Sequence, residues 1–268
     1  MLPQVRPKVV SQHSIGGQAV DQGSFYDDIA EFYDLIYVDW DESMRRHGAA
    51  ISAMLGRDPA ATRILDASAG IGTQSLPLAA MGFEVVARDL SASAIRRLQR
   101  EAEDRGLQIE AAPADMREVA SSIDGLFDAV ISFDNSIPHL LSDAGIVATL
   151  EGFRQVLAPG GVVLLSVRDY GDVDRSPTSV HRYGERTRDG ARYRMSQEWE
   201  WYDAEHYRTT MVVEQEEGGG WSEVIRTVAA YYAVPIPALL ELMRGAGLKA
   251  ERVDEPPFSQ PVLRGRAG

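Results

Sequence analysis

Between about residues 62 and 167, short apolar runs alternate with segments of helical period. That alternation is the mark of βα units feeding a parallel sheet. The runs fall at 63–65, 83–87, 107–112, 127–133 and 162–167, with helices expected at 73–81, 92–105 and 143–157. The last of these puts Ile146, Leu150, Phe153 and Leu157 on one face, behind Ser142 as N-cap. Pro159-Gly160-Gly161 is expected to turn the chain into the fifth strand. Ahead of this core, the aromatic and acidic stretch 25–40 reads as helical. Beyond it, from Tyr170 to about Tyr232, the period changes. Alternation at 192–201 and 207–215 predicts antiparallel strands, with residues 218–220 as a glycine turn. A helix returns at 235–245, with Leu239, Leu240, Leu242 and Met243 facing the core. Residues 248–253 and 259–263 read as two closing strands.

The expected architecture is α/β, a mostly parallel seven-stranded sheet with helices on both faces. An antiparallel β lid, residues 171–232, is inserted after the fifth strand. Residues 1–22 read as a flexible polar arm and 23–268 as a single domain, a size that 268 residues with 44% hydrophobic content can support. No apolar run approaches the roughly 18 residues needed to cross a bilayer, and the N-terminus lacks the apolar stretch of a signal peptide. Cysteine is absent, which excludes disulfides, thiolate metal sites and a thiol nucleophile, and fits a cytoplasmic protein. The formal charge of −13, with 27 scattered Lys and Arg residues, opposes binding to phosphate backbones. The expected partner is therefore a small molecule rather than nucleic acid or membrane, with homo-oligomerisation left open.

Candidate chemistry concentrates where the first strand runs through Asp66-Ala67-Ser68-Ala69-Gly70-Ile71-Gly72 into a helix. Small residues there let a ligand press against backbone. Asp89 ends the second strand, where a carboxylate can take two ribose hydroxyls. Asp66 argues against a dinucleotide, because a carboxylate at the mouth of the turn would oppose a pyrophosphate. It suits the ammonium and sulfonium of S-adenosylmethionine, although a helix-capping aspartate is an alternative. Asp115 and Met116 end the third strand, where they could hold an adenine or merely cap a helix.

The motifs at 66–73, 89–91, 115–116 and 127–140 resemble, in order, those of class I methyltransferases, with Ser68 in place of the usual first glycine. The resemblance is closer to glycine, sarcosine and dimethylglycine N-methyltransferases. It extends to Asp134-Asn135-Ser136-Ile137-Pro138-His139-Leu140, to Ser166-Val167-Arg168-Asp169-Tyr170, to residues 33–37 and to Tyr231-Tyr232. It implies a Rossmann-like methyltransferase domain that uses S-adenosyl-L-methionine and releases S-adenosyl-L-homocysteine. The cofactor residues it implies are Tyr26, Tyr37, Asp66, Ser68, Gly70, Gly72, Asp89, Leu90, Asp115, Met116 and Phe133.

On the acceptor side, Asn135 offers a donor and acceptors to align a substrate atom. His139 could relay a proton or simply fix its loop. Arg168 would fork onto an acceptor carboxylate, or else pair with Asp169 or Asp134. Tyr37, Trp199, Tyr207 and Tyr231 are expected to wall the acceptor pocket. The expected reaction is N-methylation of a small amine or amino acid. Methylation at carbon or oxygen of a small aromatic is the alternative, and a non-catalytic cofactor-binding sensor is an alternative of another class. Asp134 and Asp169 at neighbouring strand ends also suggest a magnesium-dependent enzyme. Arg168 beside them opposes that, and no metal is expected.

Overall fold

The structure, a computed structural model, describes residues 22–171, 173–253 and 258–267. The expected arm therefore lies outside the described residues except for Gln22, which opens α1 (Gln22–Ile29). A 3-10 turn follows at Ala30–Ile36, and Tyr37 breaks from it into extended backbone. Stretch 25–40 is thus two short helical pieces rather than one helix. Asp39 then caps α2 (Trp40–Leu55), its side chain accepting from the Glu42 amide.

The core alternates as the periodicity predicts. β1 (Arg63–Asp66) leads to α3 (Ser75–Ala80), β2 (Glu84–Asp89) to α4 (Ala92–Asp104), and β3 (Glu110–Pro113) to the short α5 (Val119–Ser122). β4 (Phe127–Ser132), α6 (Asp143–Gln155) and β5 (Leu157–Ser166) complete it. Ile64, Leu65, Ala129, Val130, Ile131, Val163, Leu164 and Leu165 have no exposed surface. Consecutive burial of this kind belongs to strands covered on both faces. The third strand starts at Glu110 because Leu107 is still tied to the end of α4, its amide bonding the Ala102 carbonyl. Pro159-Gly160-Gly161 does not precede the fifth strand but bulges within it. Phe127 faces Leu157 and Ala129 already faces Val162. Gly160 absorbs the kink at φ 74, and a Cβ on Gly161 would lie 2.8 Å from the Ala158 carbonyl.

The lid is a four-stranded antiparallel sheet: β6 (Thr178–Arg188), β7 (Ala191–Trp201), β8 (His206–Glu217) and β9 (Gly220–Tyr232), in that order. Its inner face packs Met195, Trp199, Tyr207, Met211 and Val213 against the core. α7 (Ile236–Gly245), β10 (Leu248–Val253) and β11 (Val262–Ala267) close the chain. The seven-stranded sheet runs β10-β11-β5-β4-β1-β2-β3, with β11 antiparallel to both neighbours. Strand order reverses between β1 and β4. In open α/β sheets, the crevice at such a point, outside the C-terminal strand ends, is where ligands bind.

Candidate active site

A cavity of about 410 Å³ lies at that crevice. Among the expected cofactor residues, Tyr26, Ser68, Gly70, Asp89, Leu90, Asp115, Met116 and Phe133 line it, as does His139. Tyr37, Asp66, Gly72, Asn135, Arg168, Trp199, Tyr207 and Tyr231 are not in its wall. Tyr33, Thr73, Gln74 and Ser136 line it although sequence reasoning passed over them as site residues, and so does Asp134, weighed there only as a metal ligand or a partner of Arg168.

The glycine turn explains part of the cavity's shape. Gly70 sits at φ 52, and a Cβ built on it would meet nothing within 4 Å, so the cavity opens directly above its backbone. Gly72 serves packing instead. At φ 97, a Cβ there would press on Leu76 at 2.9 Å. Asp89 accepts from the Gly70 and Ser91 amides, each at 2.8 Å. Burial raises its pKa, while those two amides lower it. A carboxylate has about four lone-pair sites, so capacity remains for ribose hydroxyls. Asp115 is engaged at its helix start, accepting from the Arg117 amide at 2.9 Å and from the Arg117 guanidinium. Burial alone would raise its pKa, but the Arg117 hydrogen bonds outweigh that and hold it low.

The three strand-end acids do not stand at one level. Asp66 pairs in register with Ala87, two residues short of Asp89. At about 3.3 Å per residue, that leaves it about 7 Å deeper in the sheet. It is 1% exposed, bonded to the Ser75 hydroxyl at 2.7 Å, and its pKa is pushed up to about 7, chiefly by burial. It lies beneath the turn rather than at its mouth.

His139 is bound at both nitrogens. Nδ1 faces the Ala230 carbonyl at 3.0 Å, which can only accept, so Nδ1 carries the proton and Nε2 accepts from the Tyr26 hydroxyl at 2.8 Å. Burial pulls its pKa down to about 4. A base that weak takes little proton near neutrality, and its geometry is that of a group fixing Tyr26 against β9.

Asn135 has φ 67 and spends its carboxamide internally. Nδ2 donates to the Tyr170 hydroxyl at 2.8 Å, and Oδ1 accepts the Arg168 amide at 2.9 Å. Its own amide donates to the Ser166 carbonyl. It therefore clips the loop after β4 to the loop after β5. Arg168 is ion-paired with neither expected partner. Asp169 lies 3.4 Å from Arg252, and Asp134 accepts from the Tyr37 hydroxyl and Gln74. The Arg168 guanidinium lies over Trp199, 4.4 Å from the ring centroid, and its buried Nε has no hydrogen-bond partner among the described residues. Trp199 also touches the rings of His181 at 4.1 Å and Tyr207 at 4.8 Å, and Tyr207 stacks on Tyr231 at 5.1 Å. This aromatic layer underlies the lid and adjoins the cavity through His139, whose ring lies 4.1 Å from that of Tyr231. Among the described residues, no group of three or more potential ligands could hold a metal, and no helix is long and apolar enough to cross a membrane.

Comparison with known proteins points to one kind of domain. Residues 64–161 match the family model described as a methyltransferase domain. Glycine/sarcosine N-methyltransferase of Halorhodospira halochloris is 35% identical over 147 residues, which make up 54% of this chain and 54% of that protein. The chain thus spans about half the length of that curated relative. The dTDP-3-amino-3,6-dideoxy-alpha-D-glucopyranose N,N-dimethyltransferase of Streptomyces fradiae is 29% identical over 181 residues, 63% of this chain and 69% of that one. The crystal structure of Streptomyces venezuelae DesVI superposes with a TM-score of 0.76 at 20% identity, covering 90% of this chain and 99% of that one, a likeness of fold. Residues 64–161 of this chain thus match a methyltransferase domain, and the chain has the Rossmann-like fold of S-adenosylmethionine-dependent methyltransferases.

Proposed function

We propose that this protein is an S-adenosylmethionine-dependent enzyme that methylates the amine nitrogen of a small acceptor bearing an anionic group. The cavity suits the cofactor in its volume, in the open space over Gly70 and in the unfilled capacity of Asp89. The cofactor supplies an electrophilic methyl on a sulfonium. The chain's share is to align the acceptor and exclude water, and the lid's aromatic face does the excluding.

Arg168 is the observation that carries the acceptor class. A guanidinium whose buried Nε has no partner, and which no carboxylate among the described residues meets within ion-pair distance, calls for an anion. Glycine/sarcosine N-methyltransferase by its name acts on a carboxylate-bearing amine, and the Streptomyces fradiae relative on a nucleotide-linked amino sugar. Both acceptors pair an amine with an anion. A neutral aromatic stacked on Trp199 is disfavoured, because Arg168, His181 and Tyr207 already pack on that ring.

Mass-shift assays with glycine, sarcosine, an amino-sugar nucleotide and indole test the reading. Methylation of an anionic amine is expected. Arg168→Lys should raise its KM by roughly 10-fold or more with a smaller change in kcat, because an ammonium cannot reproduce the fork. Full activity in that variant, or methylation of indole alone, would overturn it.

A further inference from the structure

Asp134 stands at the C-terminal end of β4 with φ 55, directly before Asn135 at φ 67. L residues seldom adopt such backbone, and strained positions of this kind gather at ligand sites. Its Oδ2 accepts from the Tyr37 hydroxyl at 2.9 Å and from Gln74 Nε2 at 3.0 Å. Both donors are neutral. Oδ1 accepts nothing from the described residues, and no described cation pairs with the carboxylate. Among the other cavity acids, Asp115 is paired with Arg117 and Asp89 holds two backbone amides. Gln74 uses both amide hydrogens, one on Asp134 and one on His47 Nδ1 at 3.2 Å, which leaves its carbonyl oxygen as a second acceptor in the same wall.

Position narrows the choice of ligand. β4 and β2 flank β1, so at about 4.8 Å per strand the ends carrying Asp134 and Asp89 lie about 10 Å apart across the glycine turn. A nucleoside whose ribose meets Asp89 would extend its other arm over Gly70 toward Asp134. On S-adenosylmethionine that arm is an amino acid with a free ammonium. Asp66, the acid expected to meet that charge, sits below the turn and outside the wall.

We propose that Asp134, with Gln74 beside it, binds the α-ammonium of the cofactor's methionyl arm. The assignment rests on the reading of this cavity as the S-adenosylmethionine site. An ammonium offers three donors, which Asp134 Oδ1 and the Gln74 carbonyl can meet while Tyr37 holds the carboxylate in place. The wall's negative charge then serves recognition of the donor, whatever the acceptor is.

Calorimetry of wild type and Asp134→Asn tests this with two ligands, S-adenosylhomocysteine and 5′-methylthioadenosine. The second keeps the nucleoside and thioether but has no amino-acid arm. In the variant, S-adenosylhomocysteine should bind roughly 10- to 100-fold more weakly, the range for one charged hydrogen bond. 5′-Methylthioadenosine should bind as it does to wild type, which also shows that the variant is folded. Equal weakening of both ligands would make Asp134 a shaper of the pocket and overturn the assignment. Unchanged binding of S-adenosylhomocysteine would overturn it too, and with a raised acceptor KM would hand the carboxylate to the acceptor's amine. Wild type that binds neither ligand would defeat the methyltransferase reading along with this one.

Discussion

Asp66 holds a carboxyl whose charge the fold resists. Burial raises its pKa to about 7, against the opposing pull of the Ser75 hydroxyl and the Ser68 amide, with Asp89 and Asp134 adding to the rise. In an unfolded chain the group titrates near 4. Between those values the folded protein keeps a proton that the unfolded chain has lost. The group's contribution to stability is therefore full below about pH 4 and is lost as pH rises through about 7. Asp66→Asn should remove that loss, since an amide can donate to Ser75 Oγ while accepting from the Ser68 amide. Thermal unfolding should show the variant melting roughly 10 °C higher than wild type at pH 8.5 and little different at pH 4. An equal shift at both pH values would mean that ionisation is not what strains the site. The residue types were legible in sequence, but their levels were not. That the first three strands end in acids is plain from the chain, whereas only the register of β1 against β2 shows Asp66 to be two residues too deep. Asp134 and Asn135 were visible as residues, but their backbone was not, because nothing in their side chains announces a positive φ.

Between elements, Asp34 joins parts of the chain that sequence alone leaves separate. Its carboxylate accepts from Arg97 on α4 at 2.8 Å and from Arg188 at the end of β6 at 3.2 Å, and Arg188 also donates to the Glu31 carbonyl. Nearby, Arg186 donates to the Tyr37 carbonyl at 2.7 Å. The tip of the lid is thus fastened to the 3-10 turn, and the turn to the core. Asp34→Asn would leave the Arg97 guanidinium, 8% exposed, with only the looser Glu101 carboxylate at 3.6 Å as counter-charge. We expect a loss of about 2 kcal/mol in denaturant unfolding, with faster amide exchange in β6 and β7 and none added in β1, β4 or β5. Uniform acceleration would place the junction's importance in global stability instead. The βα periodicity revealed the central strands because they bury consecutive apolar residues. α2 escaped because its buried stripe includes Ser43, His47 and Gly48 beside Met44 and Ile51, so no apolar period marks it. Gly48 is there for contact, since a Cβ would stand 2.7 Å from the Pro77 Cβ on α3.

Over the whole molecule, three layers of chain meet at one crevice. The parallel sheet supplies the strand ends bearing Gly70, Asp89, Asp115 and Asp134. The segment from Gln22 to Tyr33 lies across them, with Tyr26, Ala30 and Tyr33 in the wall. The lid holds that segment down, because the Ala230 carbonyl on β9 accepts from both Gln22 Nε2 at 2.9 Å and His139 Nδ1. A ligand in the cavity therefore touches α1 and the sheet at once and should bind the folded state alone. At roughly 100 times its Kd, such a ligand adds about 2.7 kcal/mol, which in a chain this size corresponds to about 5–10 °C in Tm. S-adenosylhomocysteine should produce that shift and, in hydrogen exchange, slow the amides of α1 and the 3-10 turn most. β10 and β11 at the far edge of the sheet should change least, being remote from the crevice. Slowing confined to the loops after β1 and β2 would show that the ligand reaches the sheet without engaging α1. Closure over the donor would then have to come from elsewhere in the chain.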